Sequence, residues 1–399
     1  MSLQDTPRAS RLHIGIFGKR NSGKSSILNA LTGQDIAVTS DTPGTTTDPV
    51  YKSMEIHGLG PVVWIDTAGY DDVGDLGALR VEKTAEALAK TDIALLLLGE
   101  MPDATDKVWM SRLKASHTPI IPVVSKMDIL PSEEVKRRLE AAEGMVGVPA
   151  LAISSKDGTG IEALRNRLIR ALPEDFEPVS ILGDLVTAGD SVLLVMPQDI
   201  QAPKGRLILP QVQTLRELLD RKCTATCCTT DRLEATLAAL KMPPKLIITD
   251  SQVFRTVYDL KPAESALTSF SVLMAGYKGD LKTFVEGAAA VDGLTATSRV
   301  LIAEACTHAP MSEDIGRVKI PAMLKKRFGA DLQVDVVSGV DFPADLTPYD
   351  LIIHCGGCMF NRKYVLSRIE KAREQRVPIT NYGVVIAYLN GILKDVVMP

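Results

Sequence analysis

The chain has 399 residues, 45% hydrophobic and 24% charged, and 45 Lys and Arg against 49 Asp and Glu give a formal net charge of −4. This length exceeds the roughly 100 to 200 residues of a typical domain and predicts two or three domains. The slightly acidic balance argues against a nucleic-acid partner.

Residues 1–11 are polar, and the longest aliphatic runs, such as Ile93–Leu98, are too short to cross a bilayer. We therefore expect a cytoplasmic location and no membrane partner. Cysteines stay reduced in that compartment. The six cysteines are accordingly expected to be ligands, catalysts or core residues rather than disulfides.

From about residue 12 to residue 172, β-rich runs alternate with helical patterns, which predicts a doubly wound α/β domain with a mainly parallel sheet. The predicted strands span residues 13–17, 62–65, 93–98, 120–124 and 150–153. Residues 173–178 combine two prolines with three acidic residues and are predicted to be an exposed linker. A first domain is therefore expected at residues 1–173.

The first predicted strand leads into a GxxxxGK[ST] P-loop at residues 18–25, with a helical pattern after it. Glycines in such a loop let backbone N–H groups surround phosphates at a helix N-terminus. Lys24 is expected to reach the β- and γ-phosphates as a catalytic residue, and Ser25 to supply a magnesium ligand. The nucleotide-binding residues predicted here are Gly18, Asn21, Ser22, Gly23, Lys24, Ser25 and Ser26.

Two further motifs follow in the order that a GTPase requires. Thr46, in a polar stretch after Pro43-Gly44, is predicted to be a second magnesium ligand. Residues 66–69 form a DxxG motif, in which Asp66 orients magnesium through water and the Gly69 N–H contacts the γ-phosphate. Thr46 and Gly69 thus join Lys24 as predicted catalytic residues.

Motifs for base recognition come later in the chain. Residues 125–128, SKMD, include Lys126, and the Asp128 carboxylate can accept both the ring N–H and the amino group of guanine. Adenine offers no such donor pair on that edge, so Asp128 predicts GTP. Ser154, Ser155 and Lys156 resemble the SAK loop, whose backbone N–H groups contact the guanine oxygen.

Together these motifs resemble the translation-factor-related GTPases, particularly the branch that contains the Era and MnmE proteins. Ser125 stands where that group has the Asn of NKxD, which removes an amide that normally ties loops together. Tyr70 stands where Ras-like enzymes have a glutamine that orients water. The resemblance implies that a potassium ion held partly by Asn21 assists hydrolysis instead; a local turn former is the alternative reading of Asn21.

Two smaller α/β domains are predicted after the linker, at residues 179–262 and 266–399. The first is small enough that pairing of an exposed strand edge with a second copy would stabilise it, which predicts a homodimer. The predicted elements are strands at 191–196, 245–249, 299–303, 332–337, 350–354 and 378–381, and helices at 213–219 and 232–240.

Two cysteine motifs stand just beyond predicted strand ends, Cys306-Thr307-His308 and His354-Cys355-Gly356-Gly357-Cys358. Strand ends in a doubly wound sheet face one crevice, so the motifs are expected to converge. Their spacing is compatible with zinc or with an iron–sulfur cluster, and core thiols are the plainer alternative. Three thiolates on a four-iron cluster leave one iron exchangeable, with His308 and His354 close enough in sequence to ligate it.

A P-loop GTPase followed by CxH and HCxxC resembles the HydF family, GTPases needed to assemble the H-cluster of iron-iron hydrogenases. Residues 202–211, 277–281, 314–321 and 381–383 share that likeness. The resemblance implies a GTPase, a dimerisation and a cluster-binding domain. It implies a [4Fe–4S] cluster on Cys306, Cys355 and Cys358, and a scaffold that delivers a transient diiron precursor. The implied partners are radical-SAM maturases and the hydrogenase apoprotein.

Cys223, Cys227 and Cys228 form a separate CxxxCC group in a predicted helical stretch. Cys223 and Cys227 could share a helix face in a second metal site, but core or surface thiols are favoured. His13, His57 and His117 are isolated and expected to be structural. Two other functions stay open: an RNA-modification or ribosome-assembly GTPase, and an iron–sulfur redox-sensing GTPase.

Overall fold

The computed structural model describes residues 7–32, 49–56, 59–71, 75–172, 180–197, 207–305 and 314–399. The chain divides into two compact units, residues 1–178 and 179–399. Several predicted features lie outside the described residues, namely Thr46, His57, the linker at 173–178, Cys306 and His308.

The first unit is built on a six-stranded sheet. Its strands are β1 (Leu12–Gly18), β2 (Val50–Ile56), β3 (Gly60–Asp66), β4 (Ile93–Leu98), β5 (Ile120–Val124) and β6 (Leu151–Ala152). Its helices are α1 (Lys24–Thr32), α2 (Asp75–Leu88), α3 (Ala104–Ala115), α4 (Ser132–Val146) and α5 (Ile161–Arg170). The strand order is β2-β3-β1-β4-β5-β6. Only β2, among the described strands, pairs antiparallel, which confirms the predicted mainly parallel α/β sheet.

The strands that could be predicted from the sequence are the buried ones, because burial requires apolar residues. Every residue of β1 and β4 is buried, because helices cover both faces of a central parallel sheet. One core cluster gathers around Trp64 and Leu28, and a second around Phe17 and Trp109. In contrast, β2 is an edge strand with mostly exposed or half-buried residues, so no apolar run marked it.

The second unit contains two four-stranded sheets in which every pairing between the described strands is parallel. The middle sheet has the order β10-β9-β7-β8, from β7 (Ser191–Val195), β8 (Thr224–Cys228), β9 (Leu246–Thr249) and β10 (Ala266–Ser269). The last sheet has the order β12-β11-β13-β14, from β11 (Arg299–Glu304), β12 (Gln333–Ser338), β13 (Leu351–His354) and β14 (Ile379–Asn381).

The described part of the second unit also contains eight α-helices. They are α6 (Leu209–Asp220), α7 (Leu233–Ala239), α8 (Phe254–Leu260), α9 (Phe270–Lys278), α10 (Leu281–Ala288), α11 (Ile320–Phe328), α12 (Arg362–Glu374) and α13 (Tyr382–Leu389). The C-terminal residues return to the middle sheet, where Val397 N donates to Leu267 O at 3.0 Å. Within the described residues, no helix combines the length and apolarity needed to span a membrane.

The predicted helix around Cys223 to Cys228 is wrong. Residues Thr224–Cys228 form β8, which pairs with β7 along its whole length. Its threonines are β-branched and favour a strand. Cys223 is buried and Cys227 exposed, so the two thiols do not share a helix face.

The middle sheet extends beyond the predicted domain boundary at 262 to 266. β10 pairs with β9 from Ala266 opposite Leu246 to Ser269 opposite Thr249. A division at 266 would therefore separate this strand from its own sheet.

Candidate functional site

The P-loop joins β1 to α1 in a conformation set by its glycines. Gly23 has φ +90°, which a residue without Cβ adopts at no steric cost. A Cβ on Gly18 would lie 2.5 Å from Ser22 Oγ and 2.7 Å from Leu97 O, so no larger residue fits there. Lys24 Nζ donates to Gly18 O at 3.0 Å and to Lys19 O at 2.7 Å, which holds the ammonium group over the loop.

Two predicted magnesium-site residues come together beside the P-loop. Ser25 Oγ, in the first turn of α1, donates to Asp66 Oδ2 at the end of β3, at 3.1 Å. Burial raises the pKa of Asp66, although the nearby Lys24 opposes this. A cation would stabilise such a buried carboxylate, and oxygen ligands are those that Mg²⁺ prefers. These residues fit a magnesium ion; the third predicted residue, Thr46, lies outside the described residues.

The DxxG motif packs directly against the P-loop. A Cβ on Gly69 would lie 2.7 Å from Arg20 N, so this close approach requires glycine. Asp71 Oδ1 accepts a hydrogen bond from Arg20 N at 2.7 Å. The backbone of Gly69 therefore lies next to the loop that would carry the phosphates.

Tyr70 is directed into the core beneath α3. It is 3% exposed, its hydroxyl donates to Asp106 Oδ1 at 2.6 Å, and its ring stacks on Trp109 with centroids 5.2 Å apart. Burial and the bond to Asp106 raise the pKa of Tyr70 and keep it protonated. Held in this way, Tyr70 does not take the place of a water-orienting glutamine.

Lys19 joins the P-loop to two carboxylates at the start of α3, Asp106 and the N-cap residue Asp103, a contact that was not predicted. Its Nζ lies 2.6 Å from Asp103 Oδ2 and 3.0 Å from Asp106 Oδ2. Asp103 also accepts from the N–H groups of Thr105 and Asp106 as the N-cap of α3. The D-x-x-D spacing of a capping box was the available signal in the sequence.

Ser125 ties the guanine-recognition loop to the P-loop. It is 2% exposed, and its Oγ donates to Ser22 O at 2.7 Å. Ser125 lacks the amide of the usual Asn, and its hydroxyl makes the connection between the two loops here.

The two predicted guanine loops are neighbours. Met127 N, between Lys126 and Asp128, donates to Ile153 O at 3.3 Å, just before Ser154. Ser154 Oγ accepts from the N–H groups of Lys156 and Asp157 at 3.3 and 3.4 Å. The structure thus brings the SKMD and SSK motifs to one end of the sheet.

Ser125→Ala should weaken GTP binding about fivefold, since a lost hydrogen bond of this kind costs roughly 1 kcal/mol. Equilibrium binding of a fluorescent GTP analogue measures the effect. Ser111→Ala on the exposed face of α3 is the matched control, because the Ser111 hydroxyl donates to Lys107 O in the same helix. Unchanged affinity in Ser125→Ala would contradict a role for this contact in holding the site.

The cysteine site begins at the end of β13. Ala303 lies opposite His354 in the sheet, so β11 and β13 end side by side. Cys355 Sγ accepts hydrogen bonds from Ala305 N at 3.0 Å and Gly357 N at 3.4 Å. Ala305 immediately precedes Cys306 in the sequence. Two N–H donors on a sulfur favour the thiolate, the form that binds metals, so Cys355 fits a cluster ligand.

Cys358 follows in the turn between β13 and α12. Among the described residues, no group of three or more His, Cys, Asp or Glu side chains is arranged to hold a metal ion. The described part of the predicted ligand set consists of Cys355, Cys358 and His354, since Cys306 and His308 lie outside it.

His354 was predicted as a possible cluster ligand, but both of its ring nitrogens contact other protein groups. It is fully buried, with Nδ1 2.7 Å from Cys355 O and Nε2 3.1 Å from Arg368 Nη1. Burial, together with the charge of Arg368, lowers the pKa of His354 to about 3 and keeps the ring neutral. Both ring nitrogens therefore have protein partners.

A polar group around Tyr382, whose core cluster Cys355 packs against, was also missed. Tyr382 Oη lies 3.5 Å from Glu304 Oε1, and Arg317 Nε donates to Glu304 Oε2 at 3.0 Å. Arg317 belongs to a π-helical turn, Ile315–Lys319. A Cβ on Gly316 would overlap Tyr382 Oη, so glycine is needed for this packing. Gly316, Arg317 and Tyr382 lie in stretches that the sequence marked only by family likeness, and Glu304 directly follows the predicted strand at 299–303.

The P-loop, the Ser25–Asp66 contact and the two adjoining guanine loops on a mainly parallel sheet define a P-loop GTPase domain. A family model described as 50S ribosome-binding GTPase matches residues 13–126. The models described as hydrogen maturase F dimerization and tetramerization domains match residues 181–279 and 282–399, together more than half of the chain. The chain therefore belongs to the HydF family of hydrogen maturases.

Several named proteins resemble parts of the chain. The tRNA modification GTPase MnmE of Bordetella parapertussis is 38% identical over 162 residues, which cover 40% of this chain and 33% of MnmE. GTPase Der of Wolinella succinogenes is 37% identical over 199 residues, 46% of this chain and 41% of Der. The chain thus spans less than half the length of these relatives.

A solved structure of Era in complex with MgGDPNP and nucleotides of 16S ribosomal RNA covers 54% of this chain and 92% of the Era chain. The two are 20% identical, with a TM-score of 0.38.

Proposed function

We propose that this chain is a GTP-hydrolysing scaffold that binds a [4Fe–4S] cluster and a transient diiron precursor. Radical-SAM maturases supply the diiron precursor to this chain. The chain then delivers the precursor to the iron-iron hydrogenase apoprotein. One observation carries the proposal: a chain of the HydF family joins a P-loop GTPase site to Cys355, held by N–H donors beside the end of β11. The likeness to MnmE covers 40% of the chain and does not favour RNA modification.

In the proposed reaction, the nucleotide binds across the carboxyl end of the first sheet. Lys24 contacts the β- and γ-phosphates, and the Gly69 N–H contacts the γ-phosphate. Ser25, Asp66 and Thr46 would hold magnesium, which neutralises phosphate charge when bound. Asp128 accepts from the guanine N–H and amino groups. In the loop at residues 154–156, the Ser155 N–H is the group proposed to meet the guanine oxygen, since the Ser154 N–H bonds to Thr159 O and the Lys156 N–H to Ser154 Oγ.

Hydrolysis should run faster in KCl than in NaCl at equal ionic strength. Tyr70 is tied to Asp106 and is not directed as a water-orienting side chain, while Asn21 sits in the P-loop with φ 56°. Phosphate release in the two salts measures the effect, and Asn21→Ala should remove most of the difference. Equal rates would reject the potassium role, and comparable ATP turnover would reject guanine recognition by Asp128.

We further propose three domains, with the GTPase at residues 1–173, a dimerisation domain after residue 179 and a cluster-binding domain at the C-terminus. The pairing of β10 with β9 supports a boundary after Ser269 rather than at 262 to 266. Family models that end at 279 and begin at 282 support the same shift.

The cluster itself is tested by metal analysis. Cys306, Cys355 and Cys358 would hold it, and a cluster with three protein thiolates supplies one iron with an exchangeable ligand. Anaerobically purified protein should contain about four iron and four sulfide ions per chain, the composition of a [4Fe–4S] cluster. Stoichiometric zinc without iron would overturn the proposal.

Dimerisation is proposed through β8, an edge strand of the middle sheet. Thr224 N donates to Asp190 O, just before β7, and Cys228 O accepts from Met196 N, just after β7. The backbone groups of Thr224 and Cys228 therefore face β7. Successive residues direct their backbone groups to opposite sides. The N–H of Cys227 therefore faces away from β7, toward a strand of a second copy.

Cys227→Pro should give a monomer, because proline removes this outward donor without removing a bond to β7. Light scattering at micromolar concentration measures the mass. Cys227→Ser, which keeps the N–H, is the matched control and should stay dimeric. A dimer in the proline variant, or a monomer in the unaltered protein, would contradict pairing through β8.

A further inference from the structure

Arg368 is a buried cation on α12. This helix follows the loop that carries Cys355 and Cys358, residues 355–361, which is called the cysteine loop here. Arg368 is 2% exposed, and its guanidinium carbon lies 4.6 to 4.8 Å from the ring centroids of Phe342, Phe360 and Tyr364. Within the described parts of the chain, Arg368 forms no ion pair, and its Nε has no hydrogen-bond partner. Burying a charge without a counter-charge is costly. The aromatic faces offset only part of that cost.

The guanidinium group reaches the cysteine loop through His354. Arg368 Nη1 lies 3.1 Å from His354 Nε2, and Arg368 Nη2 donates to Gly339 O. An arginine can only donate, so His354 Nε2 must accept and the ring proton must lie on Nδ1. Nδ1 then donates to Cys355 O at 2.7 Å. Three groups therefore form a directed chain: the Arg368 guanidinium, the His354 ring and the Cys355 carbonyl.

The loop packs closely on the helix that carries Arg368. A Cβ on Gly357, where φ is +63°, would lie 3.0 Å from Val365 Cγ2 and 3.8 Å from His354 Cε1. Phe360 N donates to Gly357 O at 2.9 Å and closes the turn around Cys358. The cation and the cysteine loop are thus parts of one packed arrangement.

We propose that Arg368 is a positioning residue for the cysteine site. It fixes His354 as the Nδ1–H tautomer, which holds the Cys355 carbonyl, and it supplies the buried positive charge that balances an anionic cluster on Cys355 and Cys358. His354 is then a supporting group rather than a ligand. The charge part of this inference rests on the proposed cluster, whereas the tautomer part does not.

Nitrogen-15 NMR of the cluster-free full-length chain tests the tautomer. The His354 resonances should show a protonated Nδ1 and an unprotonated Nε2. Arg368→Met leaves only the Cys355 carbonyl to favour the Nδ1–H form, so the fraction of that tautomer should fall. A protonated Nε2 in the unaltered protein would overturn the proposal, whether or not a cluster is ever bound.

The reduction potential of the cluster tests the charge. Reduction adds negative charge, so removing the buried cation should make the cluster harder to reduce. In Arg368→Met we expect the ratio of reduced to oxidised cluster to fall at least tenfold at a fixed potential, about 59 mV for one electron. Arg368→Gln, which removes the charge but keeps N–H donors, should shift the potential similarly and serves if the methionine variant does not fold.

Arg373→Met on the same helix is the matched control, because Arg373 is exposed and paired with Glu370. The reduction potential of the cluster in Arg373→Met should equal that in the unaltered protein. An intact cluster with unchanged potential in both neutral Arg368 variants would reject the charge role. Failure of the unaltered protein to bind iron would instead reject the proposed function, and the tautomer measurement would still judge the positioning role.

Discussion

Lys24→Ala should reduce GTP hydrolysis roughly 100- to 1,000-fold, the loss typical of removing one group that stabilises charge in a transition state. The ammonium group of Lys24 is held over the P-loop by the carbonyls of Gly18 and Lys19. We expect it to contact the β- and γ-phosphates, whereas the other P-loop lysine, Lys19, is paired with Asp103 and Asp106. Phosphate release under saturating GTP measures the loss.

The matched control is Lys114→Ala, an exposed lysine in the last turn of α3. It should hydrolyse GTP at the unaltered rate. Lys24→Ala should also retain the iron content of the unaltered protein, because the cysteines lie in the other compact unit. Turnover within a few-fold of normal in Lys24→Ala would contradict the P-loop assignment.

Cys355→Ser and Cys358→Ser should each lose most of the bound iron. Cys355 Sγ is held by two backbone N–H groups, an environment that favours a thiolate. A serine hydroxyl has a far higher pKa than a thiol and is a poor ligand for iron–sulfur clusters. Iron and sulfide analysis after anaerobic purification measures the loss, together with the visible absorption of the cluster.

Cys227→Ser provides the control, since Cys227 is an exposed thiol on the middle sheet. It should bind iron normally. If Cys355→Ser and Cys358→Ser both kept a full complement of iron, the cluster would have to be held elsewhere, and the assignment of the CxxC turn would be wrong.

The sequence predicted the central strands well because their burial leaves an unambiguous pattern. β4 is apolar along its whole length, and the strand bounds 93–98 and 120–124 agree with the structure. Edge strands are harder. β2 and β8 are stabilised by pairing with a neighbour rather than by a continuous apolar face, so β2 was not predicted and β8 was predicted as a helix.

Motif residues near one another in sequence could be assigned in advance, but their long-range partners could not. The P-loop spacing predicts a phosphate site, whereas nothing in sequence pairs Lys19 with Asp106 or Ser125 with Ser22. His354 shows the same limit. Its place beside Cys355 suggested a ligand, and only the fold reveals that Arg368 occupies its Nε2.

Transfer to hydrogenase tests the central claim most directly. The purified chain, loaded by radical-SAM maturases under anaerobic conditions, would be mixed with hydrogenase apoprotein and assayed for hydrogen evolution. We expect hydrogen evolution with the unaltered protein and little with Cys355→Ser or Cys358→Ser. Equal activation by the cysteine variants, or none by an unaltered chain that holds its iron, would contradict the proposed role as a scaffold.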